Sequence, residues 1–313
     1  MSNMWQRTLW IAVCWLGVAQ TAHAEAPSPQ RSFESADEAA HALVTALREH
    51  NEADWRAILG PEADRVIDLR GPYADQEQIV EFLALYDGKH AIDQKEAGRA
   101  ELDVGPDDWP LPIPIIESNG RWTFDSNAGA QSIVDRRIGR NELTAIHTLL
   151  ACVDAQHEYF RHAEQTTGMG AYATRLVSTS GHQDGLYWPT SGAGTESPLG
   201  LQIDGAQERG LSGELVGDRS VQFEGYNFRI LEAQGLNADG GAKSYIDSGQ
   251  MTGGFALIAW PIGFGSSGIM TFIVGPDGLV YQRDLGMSTA RIAAAVETFD
   301  PDLTWSRIEI THE

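Results

Sequence analysis

The chain has 313 residues and carries 44 acidic against 22 basic side chains, which gives a formal net charge of −22 at pH 7. Nucleic-acid backbones and anionic membrane surfaces repel a chain of this charge, so neither is expected as a partner. The length suits one large or two medium-sized domains.

The first 24 residues have the pattern of a secretory signal peptide. A basic start with Arg7 precedes an apolar stretch over residues 9–19, which is too short to cross a bilayer comfortably. Ala22-His23-Ala24 then has the small-x-small form of a cleavage site. We therefore expect a periplasmic or secreted protein that is cleaved after Ala24, has no membrane span afterwards and continues with a polar tether over residues 25–34. An N-terminal membrane anchor is the alternative interpretation.

Cleavage would leave Cys152 as the single cysteine. It cannot form a disulfide within its own chain, whereas pairing between two chains stays open. The apolar neighbours Leu149, Leu150 and Val153 indicate a buried structural thiol, because apolar burial raises the pKa of a thiol and suppresses its reactivity.

Residues 35–128 are predicted to form a first domain of helices and an antiparallel sheet. Ser35 followed three residues later by Glu38 is a capping-box signature at the start of a helix. The next elements are predicted in the order helix 53–59, helix 75–86, strand 100–104, extended segment 109–116 and strand 121–124. Because proline cannot donate to a sheet ladder, the three prolines of the extended segment place it at a sheet edge.

Residues 129–313 are predicted to form a second domain that begins with a long helix over 130–163, broken or bent at Gly139. Its predicted apolar stripe consists of Leu143, Ile146, Leu150, Val153 and Phe160. Loops with short strands are expected over 168–215, followed by strands over 221–231, 253–260, 269–274 and 279–283 and a last helix from Ser288 to Phe299. The predicted fold class is therefore α+β, with two small domains.

The stretch from residue 253 to residue 274 contains no charged side chain and includes Gly263-Phe-Gly-Ser-Ser-Gly268. A membrane helix is disfavoured because Pro261 and several glycines interrupt the stretch. A dinucleotide site is disfavoured because that glycine motif must open a helix, whereas this one enters a strand. We expect two core strands joined by a glycine-rich connection.

Two polar motifs are candidates for a catalytic or binding role. The histidines of His157-Glu-Tyr-Phe-Arg-His162 are five residues apart, so they cannot share one helix face as a zinc-protease pair does. The basic tract Arg136-Arg-Ile-Gly-Arg-Asn-Glu142 suits either an anionic group or acidic residues of the neighbouring domain, and the second is favoured. No metal and no cofactor are expected.

The ligand-binding candidates are aromatic and charged residues of the second domain, namely Asp184, Tyr187, Trp188, Tyr226 and Arg229. Aromatic rings beside carboxylates suit sugars or apolar ligands, while packing between loops is the alternative role for such rings. The sequence contains no recognisable set of catalytic residues, so we favour a protein without enzymatic activity.

Sequence motifs spread over the chain resemble a known family. They include Asp107-Asp-Trp-Pro-Leu-Pro-Ile-Pro114, Arg136-Arg-Ile-Gly-Arg-Asn-Glu-Leu143, Asp184-Gly-Leu-Tyr-Trp-Pro189, Gly253-Gly-Phe-Ala-Leu257 and Phe299-Asp-Pro-Asp302. With them the chain resembles the bacterial exported family catalogued as domain of unknown function 2950. The resemblance implies an envelope protein with no assigned activity, and another exported envelope protein as its partner.

A weaker resemblance concerns the folds of the two halves. The first half is similar to small cystatin- or NTF2-like domains, and the second to the heads of type IV pilins and pseudopilins, although the membrane-spanning N-terminal helix of a pilin is missing before the second sheet. We therefore expect a non-enzymatic periplasmic module for envelope interaction or assembly, of open oligomeric state. The alternative is an envelope hydrolase or a glycan-binding protein that uses an aromatic groove.

Overall fold

The structure is a computed structural model, and it describes residues 29–67, 76–188, 197–200, 214–216 and 220–309. The predicted signal peptide lies outside the described residues, as does most of the predicted tether. The chain divides into two units after Ser126.

Helices come first in the first unit, and the opening one starts where its capping residues predict. Ser35 Oγ accepts a hydrogen bond from the Glu38 backbone N–H at 3.1 Å, while the Glu38 carboxylate accepts one from the Glu34 N–H at 2.9 Å. The helices are α1 (Ala36–Arg48), α2 (Glu52–Leu59), α3 (Ala63–Val66) and α4 (Gln76–Gly88). Gly60, with φ +77°, ends α2 in a left-handed conformation that glycine adopts without strain.

A five-stranded antiparallel sheet follows the helices. Its strands are β1 (His90–Glu96), β2 (Arg99–Val104), β3 (Trp109–Pro110), β4 (Ile115–Ser118) and β5 (Arg121–Phe124). The main order is β1-β2-β4-β5, and β3 pairs with β2. The edge position predicted for the proline segment is therefore wrong for its second part, because β4 lies between β2 and β5. Pro114 directly precedes β4, so the inner strand itself contains no proline.

The second unit contains a helix of 42 residues, α5 (Ser126–Thr167), which runs without interruption through Gly139. The predicted break is wrong because one glycine costs only about 1 kcal/mol relative to alanine, which is too little to end a helix held by packing. Leu143 was predicted in the buried stripe but is 55% exposed. The buried residues of the helix include Ala145, Leu149, Cys152, Val153 and Gln156.

A seven-stranded antiparallel sheet forms the centre of the second unit. Outside it, β6 (Arg175–Val177) and β7 (Gly185–Tyr187) form a parallel pair. The sheet comprises β8 (Glu214–Val216), β9 (Ser220–Phe223), β10 (Tyr226–Leu231), β15 (Ala256–Pro261), β16 (Met270–Val274), β17 (Val280–Asp284) and β18 (Ser306–Arg307), in the order β18-β17-β16-β15-β10-β9-β8. Between β10 and β15 lie two small hairpins, built from β11 (Ala233–Gln234) with β12 (Lys243–Ser244) and from β13 (Ile246–Asp247) with β14 (Gln250–Met251).

Two predicted elements of the second unit differ from the structure. The single strand expected over 221–231 is a hairpin, because Glu224 (φ +46°) and Gly225 (φ +80°) form a left-handed turn between β9 and β10. The last helix, α6 (Thr289–Ala294), is shorter than predicted, and the Ser288 side chain makes no capping hydrogen bond.

Both faces of the central sheet are covered. The cross-strand register places Ile230, Leu257, Val274 and Val280 on one face of the sheet. It places Arg229, Ile258, Ile273 and Tyr281 on the other face. Helix α5 packs on the first face, and α6 packs against β15 on the second. Every residue of β15 is therefore buried, which confirms core strands in the uncharged stretch. Among the described residues, no helix combines the length and apolar character needed to cross a membrane.

Candidate functional site

Tyr226, one of the predicted ligand-binding residues, is fully buried in the second unit. Its hydroxyl donates to the Met270 carbonyl at 2.9 Å, and its ring packs beside Phe272 with the ring centres 5.8 Å apart. Burial, together with the nearby negative charge of Glu142, raises the pKa of this phenol above its ordinary value. The structure therefore uses Tyr226 as a core residue with a satisfied hydroxyl.

Arg229 lies on the opposite face of β10, because residues three apart on a strand point to opposite sides. Its guanidinium donates to the carbonyl of Ala293 (3.2 Å), in the last turn of α6, and to that of Val296 (2.5 Å), two residues beyond the end of the helix. It also lies 5.7 Å from the centre of the Trp260 ring. A cation at the C-terminal end of a helix is stabilising. Tyr226 and Arg229 consequently cannot line one groove.

The remaining three candidates lie at β7. Asp184 accepts hydrogen bonds from the Thr179 N–H (2.7 Å) and hydroxyl (2.8 Å), and its carboxylate is 3.8 Å from the Arg175 Nε. Desolvation opposes ionisation, but these hydrogen bonds and the charge of Arg175 outweigh it and lower the pKa of Asp184. Tyr187 is buried in the core and Trp188 is half-buried. Asp184 thus closes a loop, while Tyr187 anchors it.

The basic tract of α5 binds the glycine-rich connection between β15 and β16. Arg137 Nε donates to the Ser266 carbonyl at 3.0 Å, and Asn141 Nδ2 donates to the Ser267 carbonyl at 2.9 Å. One oxygen of Glu142 accepts from the N–H groups of Ile269 (2.9 Å) and Met270 (3.0 Å). We call these contacts of α5 the helix–loop clasp. They give the tract a structural role within its own unit.

Two glycines are required where the clasp brings backbones together. A Cβ at Gly225 would lie 2.5 Å from Asn141 Nδ2, and one at Gly268 would lie 2.2 Å from the Tyr226 hydroxyl. Both distances are shorter than side chains tolerate. Close packing therefore explains Gly225 and, in the uncharged stretch, Gly268 without a bound nucleotide.

His157 is also used structurally. Its Nε2 donates to the Pro276 carbonyl at 3.1 Å, and its ring meets the edge of Phe255 with centres 5.4 Å apart. In the described part of the chain, no group of three or more His, Cys, Asp and Glu side chains could hold a metal ion.

An apolar groove, which the sequence did not reveal, lies on the α6 side of the second unit. We define it by Ile273, Leu285, Ile292, Val296 and Trp305, and it has a volume of about 360 Å³. Arg283, Glu297 and Asp300 lie among its lining residues as well. Its five defining residues come from four separate segments of the chain, so no local pattern of the sequence could have predicted it.

The fold and these surfaces define an α+β protein with a sheet covered on both faces. The model of the family described as "protein of unknown function (DUF2950)" matches residues 30–308. The chain therefore belongs to this family. No curated protein and no solved structure matches it.

Proposed function

We propose that this protein is an exported envelope protein that acts by binding another envelope protein at the apolar groove. The observation that carries the proposal is a set of three apolar side chains that the structure leaves in water beside this groove. Leu236 is 82% exposed, Met287 is 94% exposed and Leu303 is as exposed as in an extended chain, at 105%.

The three side chains are tied to the groove through short ordered segments. The Asn237 N–H donates to the Asp300 carboxylate at 2.8 Å, which holds the loop of Leu236 against a groove residue. Leu303 is two residues from Trp305, and Met287 is two residues from Leu285, both of which line the groove. Each of the three exposed side chains therefore lies within two residues, along the chain, of a groove residue or of the hydrogen-bonded partner of one.

The energetics favour a protein as occupant of this surface. Burying an aliphatic side chain of this size contributes about 1.5–3 kcal/mol. Apolar anchors around a preformed pocket are the usual centre of a protein interface. The Trp305 N–H donates to the Asp302 carbonyl at 3.0 Å, so the turn that carries Leu303 is already ordered, and little conformational entropy is lost on binding.

Two further features support the envelope part of the proposal. The first 24 residues have the signal-peptide pattern, and the long helix on an antiparallel sheet is the arrangement that pilin and pseudopilin heads also use. For the first unit, the helices beside a five-stranded sheet suit the cystatin- or NTF2-like expectation. Glycan binding or hydrolysis by an aromatic groove has less support, since Tyr187 and Tyr226 are buried.

The test places a photocrosslinking amino acid, p-benzoylphenylalanine, at position 236, 287 or 303 and irradiates the producing cells. Position 143 is the matched control, because Leu143 is also an exposed leucine of the second unit. We expect one envelope protein to be captured at the three groove positions and not at position 143. Capture of the same protein at all four positions would contradict a specific surface.

Binding of the purified pair then tests the energetics. The double variant Leu236→Ser, Leu303→Ser is expected to bind at least about tenfold more weakly, because two apolar anchors are lost, while Leu143→Ser binds normally. Unchanged affinity of the double variant would refute the groove as the interface. N-terminal sequencing of the exported protein tests the signal peptide, and it should begin at Glu25. An intact N-terminus would favour an anchor.

A further inference from the structure

The apolar groove adjoins a second concave surface of the same unit. This side hollow has a volume of about 530 Å³, and Leu231, Ile246 and Val296 form its apolar wall. Val296, Glu297 and Thr298 line both the hollow and the groove, and we call these three residues the strap. The hollow is otherwise bounded by β10, β12 and β13, and the groove by β16, β17 and α6, so the strap lies between them.

Hydrogen bonds hold both ends of the strap. At its start, the Val296 N–H donates to a carbonyl in the last turn of α6 at 3.1 Å, and the Val296 carbonyl accepts from the Arg229 guanidinium. Directly after the strap, the Phe299 N–H donates to the Ala233 carbonyl at 3.0 Å, and the Phe299 carbonyl accepts from the Gly235 N–H at 2.9 Å. The ridge between the two concave surfaces is therefore preformed, so little conformational entropy is lost when a ligand binds across it.

The same hydrogen bonds favour a helix over an added strand as the ligand of the strap. Strand addition needs a row of unpaired backbone groups, whereas the N–H and C=O groups of Val296 and Phe299 are already bonded. Neighbouring chain segments lie about 4.8 Å apart, so concave surfaces on the two sides of one segment are about 10 Å apart. Two residues seven positions apart on a helix have a similar separation, of about 10.5 Å, and share one face.

The strap carries a negative charge between two apolar walls. Glu297 is exposed, and no ion pair in the part of the chain that the structure describes involves it. The nearby cations are directed elsewhere, because Arg229 lies over Trp260 and binds backbone carbonyls, and Arg283 acts on the charge of Asp302. A basic side chain is therefore the complement of Glu297. The net charge of −22 adds long-range attraction for a basic partner.

We propose that the binding element of the partner is an amphipathic helix that lies across the strap. One aliphatic side chain enters the apolar groove and a second, seven positions along the helix, enters the side hollow. A lysine or arginine between them on the same face meets Glu297. This inference rests on the proposed function, because it states how the envelope partner is recognised. It adds a second anchor point and a charge requirement to the apolar groove.

Stapled helical peptides of about 16 residues are the probes. The first has two leucines seven positions apart and a lysine four positions after the first leucine, in a background of alanine and glutamine. A second peptide has its second leucine shifted by two positions, to the opposite helix face, and a third has glutamate in place of lysine. By fluorescence anisotropy, the shifted peptide should bind at least about tenfold more weakly than the first. The glutamate peptide should bind about threefold to tenfold more weakly at low salt.

Variants of the protein locate the two contacts. Glu297→Lys should reverse the charge preference, so that the glutamate peptide binds more tightly than the lysine peptide. Glu158→Lys is the matched control, because it changes the net charge equally at an exposed position of α5 and should keep the original preference. Ser244→Trp fills the side hollow and should weaken the first peptide at least about tenfold. Ser244→Ala removes the same hydroxyl without filling the hollow and should bind normally.

Three results would overturn the proposal. The first is equal affinity of the first and the shifted peptide, and the second is an unchanged charge preference in Glu297→Lys. The third is a dimer of the chain, seen by sedimentation and abolished by Glu297→Lys, which would assign the strap to a second copy.

Failure of this inference is distinguishable from failure of the proposed function. If the captured envelope protein binds Ser244→Trp normally but binds the Leu236→Ser, Leu303→Ser variant weakly, the apolar groove remains the interface and the helix across the strap is wrong. If capture is equal at position 143, the proposed function is wrong, whereas the peptides still report whether the strap binds a helix.

Discussion

Removal of the Glu142 carboxylate is expected to open the helix–loop clasp. One oxygen of this side chain accepts the N–H groups of both Ile269 and Met270, and the alanine variant leaves both donors without their acceptor. A hydrogen bond to a charged group is worth about 1.5–3 kcal/mol. Because Glu142 is half-buried, water replaces part of this loss, and we expect Glu142→Ala to cost about 3 kcal/mol in total.

The glutamine variant separates the charge from the acceptor. Glu142→Gln keeps an oxygen that can accept both N–H groups, so its expected cost is only about 1 kcal/mol. The assay is native-state hydrogen exchange resolved at Ile269 and Met270, because local opening of the loop is read there directly. Glu158→Ala, a change at an exposed glutamate of the same helix, should stay within about 0.5 kcal/mol of the unchanged protein.

An opening free energy that is the same in Glu142→Ala and in the Glu158→Ala control would refute the reasoning. It would mean that packing of the buried strands alone holds the connection. A glutamine variant as damaged as the alanine variant would show instead that the charge, and not the acceptor geometry, supplies the stabilisation.

Three further predictions concern single side chains. Gly268→Ala should lower the free energy of unfolding in urea by about 2 kcal/mol, because its Cβ would overlap the Tyr226 hydroxyl. Gly139→Ala, whose Cβ meets nothing within 4 Å, should raise the free energy of unfolding by about 1 kcal/mol. The reverse order of the two variants would contradict the packing. Desolvation raises the pKa of Asp103 in the folded protein above the ordinary value of 3.8. The stability that this carboxyl contributes is therefore full below that ordinary value and is lost as the pH rises through the raised pKa. Asp103→Asn, which cannot ionise, should be about 1 kcal/mol more stable than the unchanged protein at pH 7 and should show no gain near pH 3, and a loss at pH 7 would disprove this sign. Burial raises the pKa of Cys152 to about 12, so iodoacetamide at about pH 8 should modify this thiol in urea but not in the native protein, and fast native labelling would argue against its burial.

Elements with a strong local pattern could be predicted from the sequence. Helix α1 has both a capping residue and a helical repeat of apolar residues, and β15 and β16 are short apolar runs bounded by turns. Strand β1 was missed because its residues are polar and mostly exposed. The turn at Glu224 was not predicted because it lacks the Asn-Gly or Asp-Gly pair that is typical of a tight hairpin turn.

The candidate sites were harder to predict because they depend on contacts between distant residues. Asn141 and Glu142 reach partners 126 to 128 positions away, and nothing in the basic tract itself indicates which backbone groups it binds. The aromatic and charged composition around Tyr187 and Arg229 did indicate ordered structure. It did not indicate that both side chains serve packing and helix capping, since burial is a property of the assembled sheet.

The order of α5 and its sheet along the chain has a consequence for biosynthesis. The buried face of α5, with Leu149 and Cys152, is made well before the strands that cover it, and Phe272 of β16 follows roughly 120 residues later. At about 5–20 residues per second, this delay is on the order of ten seconds. During this time the helix presents an uncovered apolar surface and an accessible thiol to whatever surrounds the nascent chain. Chaperone affinity and early oxidation should therefore concentrate on this one segment.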